Sequence, residues 1–527
     1  MSHIDEKIDN AVVLERVESE DTLEHAIKEE HGGLDETEQP NYHDKETKRI
    51  LRKVDYRLVP MLTVLYLLAF LDRGNIGNAK VAGMTKTLGM NGEQYNMALT
   101  VFFFPYAVFE VPSNVVLKLM RPSLWIMILM VSWGVVMTCQ GIVKNYNQLL
   151  VTRILLGLTE SGFFPAGRLV GFWITFTMLT STVATYLLTT WYCRFEVQTR
   201  LAVFFSAASM AGAFSGILAF GIEKMEGVGG LEGWRWIFIL EGIITVVMGA
   251  SLRWTLPDSP ASASFLTTHE KAFIERRLMQ DAGTKSGHVS THDGFNWQHL
   301  REALTEWKIW LAVIIYWGNS ITLYGFTYSA PTIIKELGYE TWQAQLLTVP
   351  VYVLGAISTV FFSWLSDKYH TRWPFIVGPY TVCICCFIAL LSIPHPHYPG
   401  LTYAFLFGIP AGVYPPLITI LTWVGNNLAP TWKRAIGMAL LISVGNLGGA
   451  IGCNVYLSQQ APHYWLGFGL CLGILTAAVA CTFLLRMAYS NENKRRDGMS
   501  EEDIKAQYTE AELLNMGDKS PLYRYVV

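Results

Sequence analysis

Twelve apolar stretches recur along this chain. They run roughly over 58–82, 96–117, 124–143, 147–192, 201–222 and 234–254, then 309–334, 346–366, 374–393, 401–424, 435–457 and 465–487. A helix needs roughly 20 mostly apolar residues to cross a hydrocarbon core of about 30 Å. Hydrophobic residues make up 51% of the chain and charged residues only 16%, against roughly 25% charged in soluble domains. The expected fold class is an all-α integral membrane protein with twelve transmembrane helices in two six-helix halves.

The polar segments divide the chain. Residues 1–46 are acidic and poor in aromatics and read as a disordered cytosolic tail. Residues 47–255 form the first half, 256–308 a charged cytosolic linker, 309–489 the second half, and 490–527 a second cytosolic tail. Lys and Arg crowd before the first span (Lys48, Arg49, Arg52, Lys53, Arg57). They recur after the second (Lys118, Arg121), the fourth (Arg194, Arg200), the eighth (Lys368, Arg372), the tenth (Lys433, Arg434) and the twelfth (Lys494, Arg495, Arg496). The linker adds Lys271, Arg276 and Arg277, whereas the 394–400 loop has neither residue type. With twelve spans every basic cluster falls on one side, which the positive-inside rule makes cytosolic. Both termini are then cytosolic. The halves also read as weak repeats. Aligned on Arg200 and Arg434, Ser209 meets Ser443, and small residues recur around Gly212 and Gly445. Small residues let membrane helices approach closely.

Four charges lie where charge is expensive. The apolar run Leu58–Leu71 is too short to span alone, so Asp72 and Arg73 enter the membrane with it; Arg153 and Glu160 lie in the fourth span. An intramembrane charge costs at least ~2.5 kcal/mol on insertion scales and marks an ion or substrate pathway by default. Arg153 and Glu160 are seven positions apart, about 10.5 Å along a helix and on nearly one face, so both can line one cavity. A carboxylate that takes a proton becomes neutral and frees a nearby arginine for an anion. The bland readings are a structural Arg153–Glu160 ion pair and a local Asp72–Arg73 pair. Other function classes have little support. There is no phosphate-binding loop, dinucleotide fingerprint or nucleophile elbow, and the eight cysteines mostly sit in apolar runs. A net charge of −3 says nothing for nucleic acid. A non-enzyme is expected, without cofactor or metal, working as a monomer in a lipid bilayer.

The run Leu71–Ala79, which holds Asp72-Arg73-Gly74-Asn75, resembles the first-span signature of the anion:cation symporter branch of the major facilitator superfamily, and within it the fungal allantoate permease group. Arg153–Pro165 with Gly157, Glu160 and Gly162, Gly233–Gly242 with Glu241, and Leu256–Pro260 also match, and the resemblance covers about residues 48–495. It implies proton-coupled uptake of a small organic anion, a carboxylate such as nicotinate, allantoate or pantothenate, at the plasma membrane. It further implies that Asp72 and Glu160 take up protons, that Arg153 pairs with the substrate carboxylate, and that Arg73 couples the two. Some animal relatives carry an arginine in the seventh span; here that span offers Asn319, Tyr324 and Tyr328, which points to a less highly charged substrate. Asn319, Tyr414 and Asn446 are the second-half candidates for substrate contact. Glu241 is expected to pair near the membrane face. An exporter or proton/drug antiporter and a transporter-like nutrient sensor are the alternatives.

The fourth apolar stretch is too long. Tyr146–Tyr192 as one helix would measure about 70 Å, and a hairpin there would invert every later loop. Removing Gly167–Val183 joins Pro165-Ala166 to Ala184-Thr185 and restores the resemblance. These residues can be encoded with a splice-donor-like, a branch-point-like and an acceptor-like element. The expectation is a translated, unspliced intron or a gene-model error. The alternative is a genuine re-entrant insertion, and cDNA sequencing separates the two.

Overall fold

The computed structural model describes residues 45–119, 122–161, 191–192, 194–257, 259–283, 301–302, 304–369, 371–394, 397–429, 431–499, 504, 507–509, 513 and 516–527. The suspected insert, Gly167–Val183, lies outside the described residues. The chain divides into two compact units, 1–52 and 53–527. Of the first, the described residues are the opening turns of a helix; all packing below belongs to the second.

Helix is the regular secondary structure of the described residues. The first set is α1 (Lys45–Val81), α2 (Gly92–Leu119), α3 (Pro122–Gln140), α4 (Tyr146–Ser161), α5 (Arg194–Glu223) and α6 (Gly233–Thr255). A linker helix, Thr268–Gly283, follows. The second set is α7 (Trp307–Glu336), α8 (Thr341–Tyr369), α9 (Pro374–Ser392), α10 (Gly408–Asn426, entered through a short helix Pro399–Leu406), α11 (Thr431–Gly452) and α12 (Trp465–Asp497). Among the described residues nine helices are long and apolar enough to cross a membrane, and α11 adds a shorter apolar stretch, Ile436–Gly452. This is an all-α, multi-pass membrane fold.

Local chemistry sets the helix starts. Asn91 Oδ1 accepts from Gln94 N at 2.8 Å and Gln94 Oε1 accepts from Asn91 N at 3.1 Å, a reciprocal cap on α2. Asn145 Oδ1 caps α4 through Gln148 N at 3.0 Å. Thr267 and Glu270 repeat the reciprocal cap on the linker helix, and Pro374 opens α9. Prolines also lie inside helices (Pro60, Pro331, Pro350, Pro379, Pro415, Pro416), as membrane helices tolerate where neighbours satisfy the freed backbone groups.

The packing repeats at an offset of six helices. α3 packs on α6 as α9 packs on α12; α2 on α4 as α8 on α10; and α3 on α4 as α9 on α10. The two sets meet where α5 packs on α8 and α2 on α11, which are again counterparts. Close approach of backbone to ring permits the first seam. A Cβ on Gly212 of α5 would lie 2.7 Å from the Tyr352 ring of α8, and Ser209 donates to the Tyr352 carbonyl at 2.7 Å.

The linker docks beside the start of the first set. Lys53 donates to Glu270 at 2.6 Å, and Arg57 covers the Phe265 ring, which in turn stacks on Trp191. Asp55 takes a two-pronged ion pair from Arg200, at 2.6 and 2.9 Å, and a bond from the Tyr192 hydroxyl at 2.7 Å.

The described end residues fold back on the second set. Asp518 pairs with Lys433 at 2.8 Å, Trp423 and Asn427 both donate to the Val526 carbonyl, and Arg496 donates to the Tyr523 and Asp518 carbonyls. The Tyr525 ring stacks on Tyr489 at 4.7 Å, and its hydroxyl accepts from Lys308 at 2.9 Å.

Candidate functional site

Adjacent residues on a helix point about 100° apart, and α1 uses that divergence at Asp72 and Arg73. Arg73 faces α4 and α7. Its Nε donates to Glu160 Oε1 at 2.6 Å, a second guanidinium nitrogen also pairs with that oxygen, and Nη1 donates to the Tyr324 hydroxyl at 2.8 Å. Aromatic rings surround the cation, with Tyr106 at 4.8 Å and Phe70 at 5.2 Å; such faces attract a desolvated guanidinium. Asp72 faces α3 and α6. Its Oδ2 accepts from the Trp133 indole at 2.6 Å, and Glu241 lies within hydrogen-bonding reach. The local Asp72–Arg73 pair is therefore not formed.

Arg73 opens onto a cavity between the two helix sets. The wall comprises Tyr66, Phe70, Arg73 and Tyr106 from the first set and Tyr316, Asn319, Tyr324 and Asn446 from the second, with Ala69, Phe205, Ser320, Leu323, Leu417, Leu421 and Ile442 between them. Its volume is about 40 Å³, room for a few water molecules at most. An organic anion fits only when these helices separate. Asn319 donates to the Val413 carbonyl on α10, and the Tyr316 hydroxyl meets Asn446 Oδ1 at 3.4 Å.

The expected residues divide among four places, of which Asp72, against α3 and α6, is one. Arg73, Asn319 and Asn446 share the cavity wall, with Glu160 behind Arg73. Tyr414 lines a neighbouring cavity with Asn78 and Ser215. Arg153 is buried at 2% exposure beside Tyr95, Tyr328 and Cys453, and two of its guanidinium nitrogens, Nε and Nη2, have no hydrogen-bond partner. Buried donors are rarely left unmade. Arg73 is neutralised by Glu160, while Arg153 is a cation with donors to spare. Glu160 bonds Arg73, so the structural Arg153–Glu160 pair is also not what is seen.

Glu241 departs from expectation. It lies two turns into α6, about 12 Å from the helix start, and is 2% exposed. It accepts from Asn75 on α1. Arg235, near the start of α6, pairs instead with Glu232 and caps the Gly141 and Val143 carbonyls. Asn75 Oδ1 accepts from Ser215 of α5 at 2.9 Å, and Ser215 accepts from Asn78 at 2.5 Å. Sequence reasoning missed Trp133, Asn75 and Ser215. Asn75 and Asn78 stand one and two turns after Asp72 on one face of α1, the available signal; nothing in the apolar third stretch singles out Trp133. Glu110, in the second apolar stretch, reads from the sequence as a gate or packing contact, and it lies outside the described side chains. Among the described residues no group of three or more His, Cys, Asp or Glu is arranged to hold a metal ion.

Known proteins resemble this chain over most of its length. Residues 62–453 match the Major Facilitator Superfamily family model. An MFS-type transporter of Penicillium expansum, cnsO, is 35% identical over 494 residues, covering 91% of this chain and 90% of that protein. The high-affinity nicotinic acid transporter of Saccharomyces cerevisiae is 29% identical over 486 residues, covering 91% and 85%. Among solved structures, a bacterial homologue of the human lysosomal transporter Spinster, inward-facing and occupied, superposes with a TM-score of 0.59 at 15% identity, covering 82% of this chain and 97% of that one. That likeness concerns the fold alone.

Proposed function

Because this chain belongs to the major facilitator superfamily, we propose that it is a proton-coupled symporter for a small organic anion, of the anion:cation symporter branch and its fungal allantoate permease group. It is a multi-pass membrane transporter. In this reading the two helix sets are six-helix halves of a twelve-span carrier with cytosolic termini in the plasma membrane, working as a monomer.

The Arg73–Glu160 ion pair on the wall of the cavity between the sets carries the reading. When Glu160 takes a proton, Arg73 loses its counter-charge and attracts an anion. The anion in turn favours the state in which Glu160 stays protonated. Arg153, buried with two unpartnered nitrogens, is the second anion contact, suited to a planar carboxylate by its fork of donors. Coupling follows if only the fully loaded and fully empty combinations let the halves exchange arrangements.

The substrate reading is a heteroaromatic monocarboxylate such as nicotinate, with allantoate and pantothenate as the neighbouring classes. Three facts support it: the tyrosine- and phenylalanine-rich wall around one guanidinium, the lack of an arginine in α7, and the similarity to a nicotinic acid transporter.

The test is uptake of radiolabelled nicotinate, allantoate and pantothenate into proteoliposomes with and without an inward proton gradient. Accumulation of one of them that collapses with a protonophore is expected. Gradient-driven efflux, or uptake of these anions that ignores the gradient, overturns the proposal.

A further inference from the structure

Asp72 on α1 and Glu241 on α6 are both fully buried, at 0% and 2% exposure. Each uses one carboxyl oxygen in the same way. Asp72 Oδ2 accepts from the Trp133 indole, and Glu241 Oε2 accepts from the Asn75 amide. The other oxygen of each, Asp72 Oδ1 and Glu241 Oε1, is buried without a donor, and the two side chains lie within hydrogen-bonding reach of one another. Two bare carboxylates cannot meet this way, since each only accepts and like charges at that range cannot both ionise. One proton placed between the free oxygens satisfies both.

We infer that Glu241 and Asp72 form a single two-residue proton site, in which the two acids hold one proton between Glu241 Oε1 and Asp72 Oδ1. This deepens the symport reading and rests on it, because it adds a residue on α6 to the proton-handling machinery.

The surrounding charges fit. The charged groups facing the pair are Glu160 and Arg153, both from α4, with Arg73 following Asp72 on α1. α3 contributes the Trp133 indole, and α5 contributes Ser215, which reaches the pair through Asn75. One proton among Asp72, Glu160 and Glu241 leaves two negative charges against the two arginines, so the buried cluster is neutral. A second proton landing on the pair leaves both acids neutral, each with an O–H of its own, and exchanges the charge-assisted hydrogen bond between α1 and α6 for a weaker neutral one. The site is thus able to loosen one helix contact as it loads.

Infrared spectroscopy of the full chain in lipid near pH 7 reads the proton directly, as the carbonyl stretch of a protonated carboxyl group. The wild type is expected to show the band, and Glu241→Gln and Asp72→Asn are each expected to lose it. Both replacements keep the shape, and their amides donate to the remaining carboxylate, so folding is preserved. Glu160→Gln should retain the band. In parallel, the pH midpoint of gradient-driven uptake should shift by about one unit or more in Glu241→Gln. A band that survives both single replacements, or that vanishes in Glu160→Gln instead, overturns the shared site. So does bleaching of the wild-type band by sodium ions, which would make the pair a cation site. The arms separate the two ideas. Proton-driven uptake without the band removes the pair and leaves symport standing; the band without proton-driven uptake keeps the pair and removes symport.

Discussion

Replacing Glu160 with Gln tests the proposed coupling step most directly. In the structure Glu160 takes two guanidinium contacts from Arg73, so an anion must compete with a fixed carboxylate for that cation. A buried hydrogen bond to a charged group is worth about 1.5–3 kcal/mol, and losing that competition corresponds to roughly 10- to 150-fold tighter anion binding at neutral pH. Binding to the wild type should strengthen as pH falls and Glu160 protonates, whereas binding to the variant should be strong and flat with pH. Stability moves the other way. Removing one partner of a buried pair costs about 3–5 kcal/mol, but Gln still offers an oxygen to Arg73, and Tyr324 and the aromatic faces remain. A loss at or below the low end is expected, small enough for purification. The assay is substrate binding across pH beside counterflow and gradient-driven uptake in proteoliposomes. Counterflow should persist while accumulation above equilibrium is lost. Normal accumulation, or wild-type pH dependence of binding in the variant, would refute the reasoning.

Arg153→Ala should abolish anion binding, because its two unpartnered nitrogens are the donors free for a carboxylate, and Lys should rescue poorly; unchanged affinity in a binding assay would make Arg153 structural. Gly212→Val should cost about 1–3 kcal/mol by overpacking against Tyr352, 2.7 Å from the new Cβ, and detergent-solubilised melting temperature reads it; an unchanged melt argues against the close α5–α8 seam. The Lys53 bond and the Thr267 N–H hold the Glu270 carboxyl below its ordinary value of 4.5. Its support for linker docking is therefore complete above that value and lost as pH falls through the lowered one. Limited proteolysis of the linker should accelerate only in that acid range, and a rate that is flat down to it contradicts the docking role.

Much of the fold was legible because apolar composition is a local property. The stretches read at 234–254 and 374–393 match Gly233–Thr255 and Pro374–Ser392 closely. Helix ends with charged turns were not legible. α5 begins at Arg194 and holds Arg200 against Asp55, and α12 continues to Asp497 with Glu492 paired to both Arg495 and Arg496. Those pairings let polar residues stay helical beyond the apolar run. At the site, the expensive charges were legible and their partners were not. Which neighbour a side chain meets depends on how each helix is rotated about its axis, a product of packing. Asp72 and Arg73 adjoin in sequence yet face different helices, and Glu241 meets Asp72 across α1 and α6.

The folded-back segment 518–526 touches four helices at one end of the second set. Lys308 of α7, Trp423 of α10, Lys433 of α11 and Tyr489 with Arg496 of α12 all bond to or stack on it. Each hydrogen bond adds about 1 kcal/mol, and together they make a stitched plate of four separate rods. The plate is expected to stay stationary during transport. Pairs of spectroscopic labels placed within it should keep constant spacing through a transport cycle, while pairs straddling α5 and α8 record the full displacement. Movement of the substrate path is thereby measured against a reference the molecule carries itself.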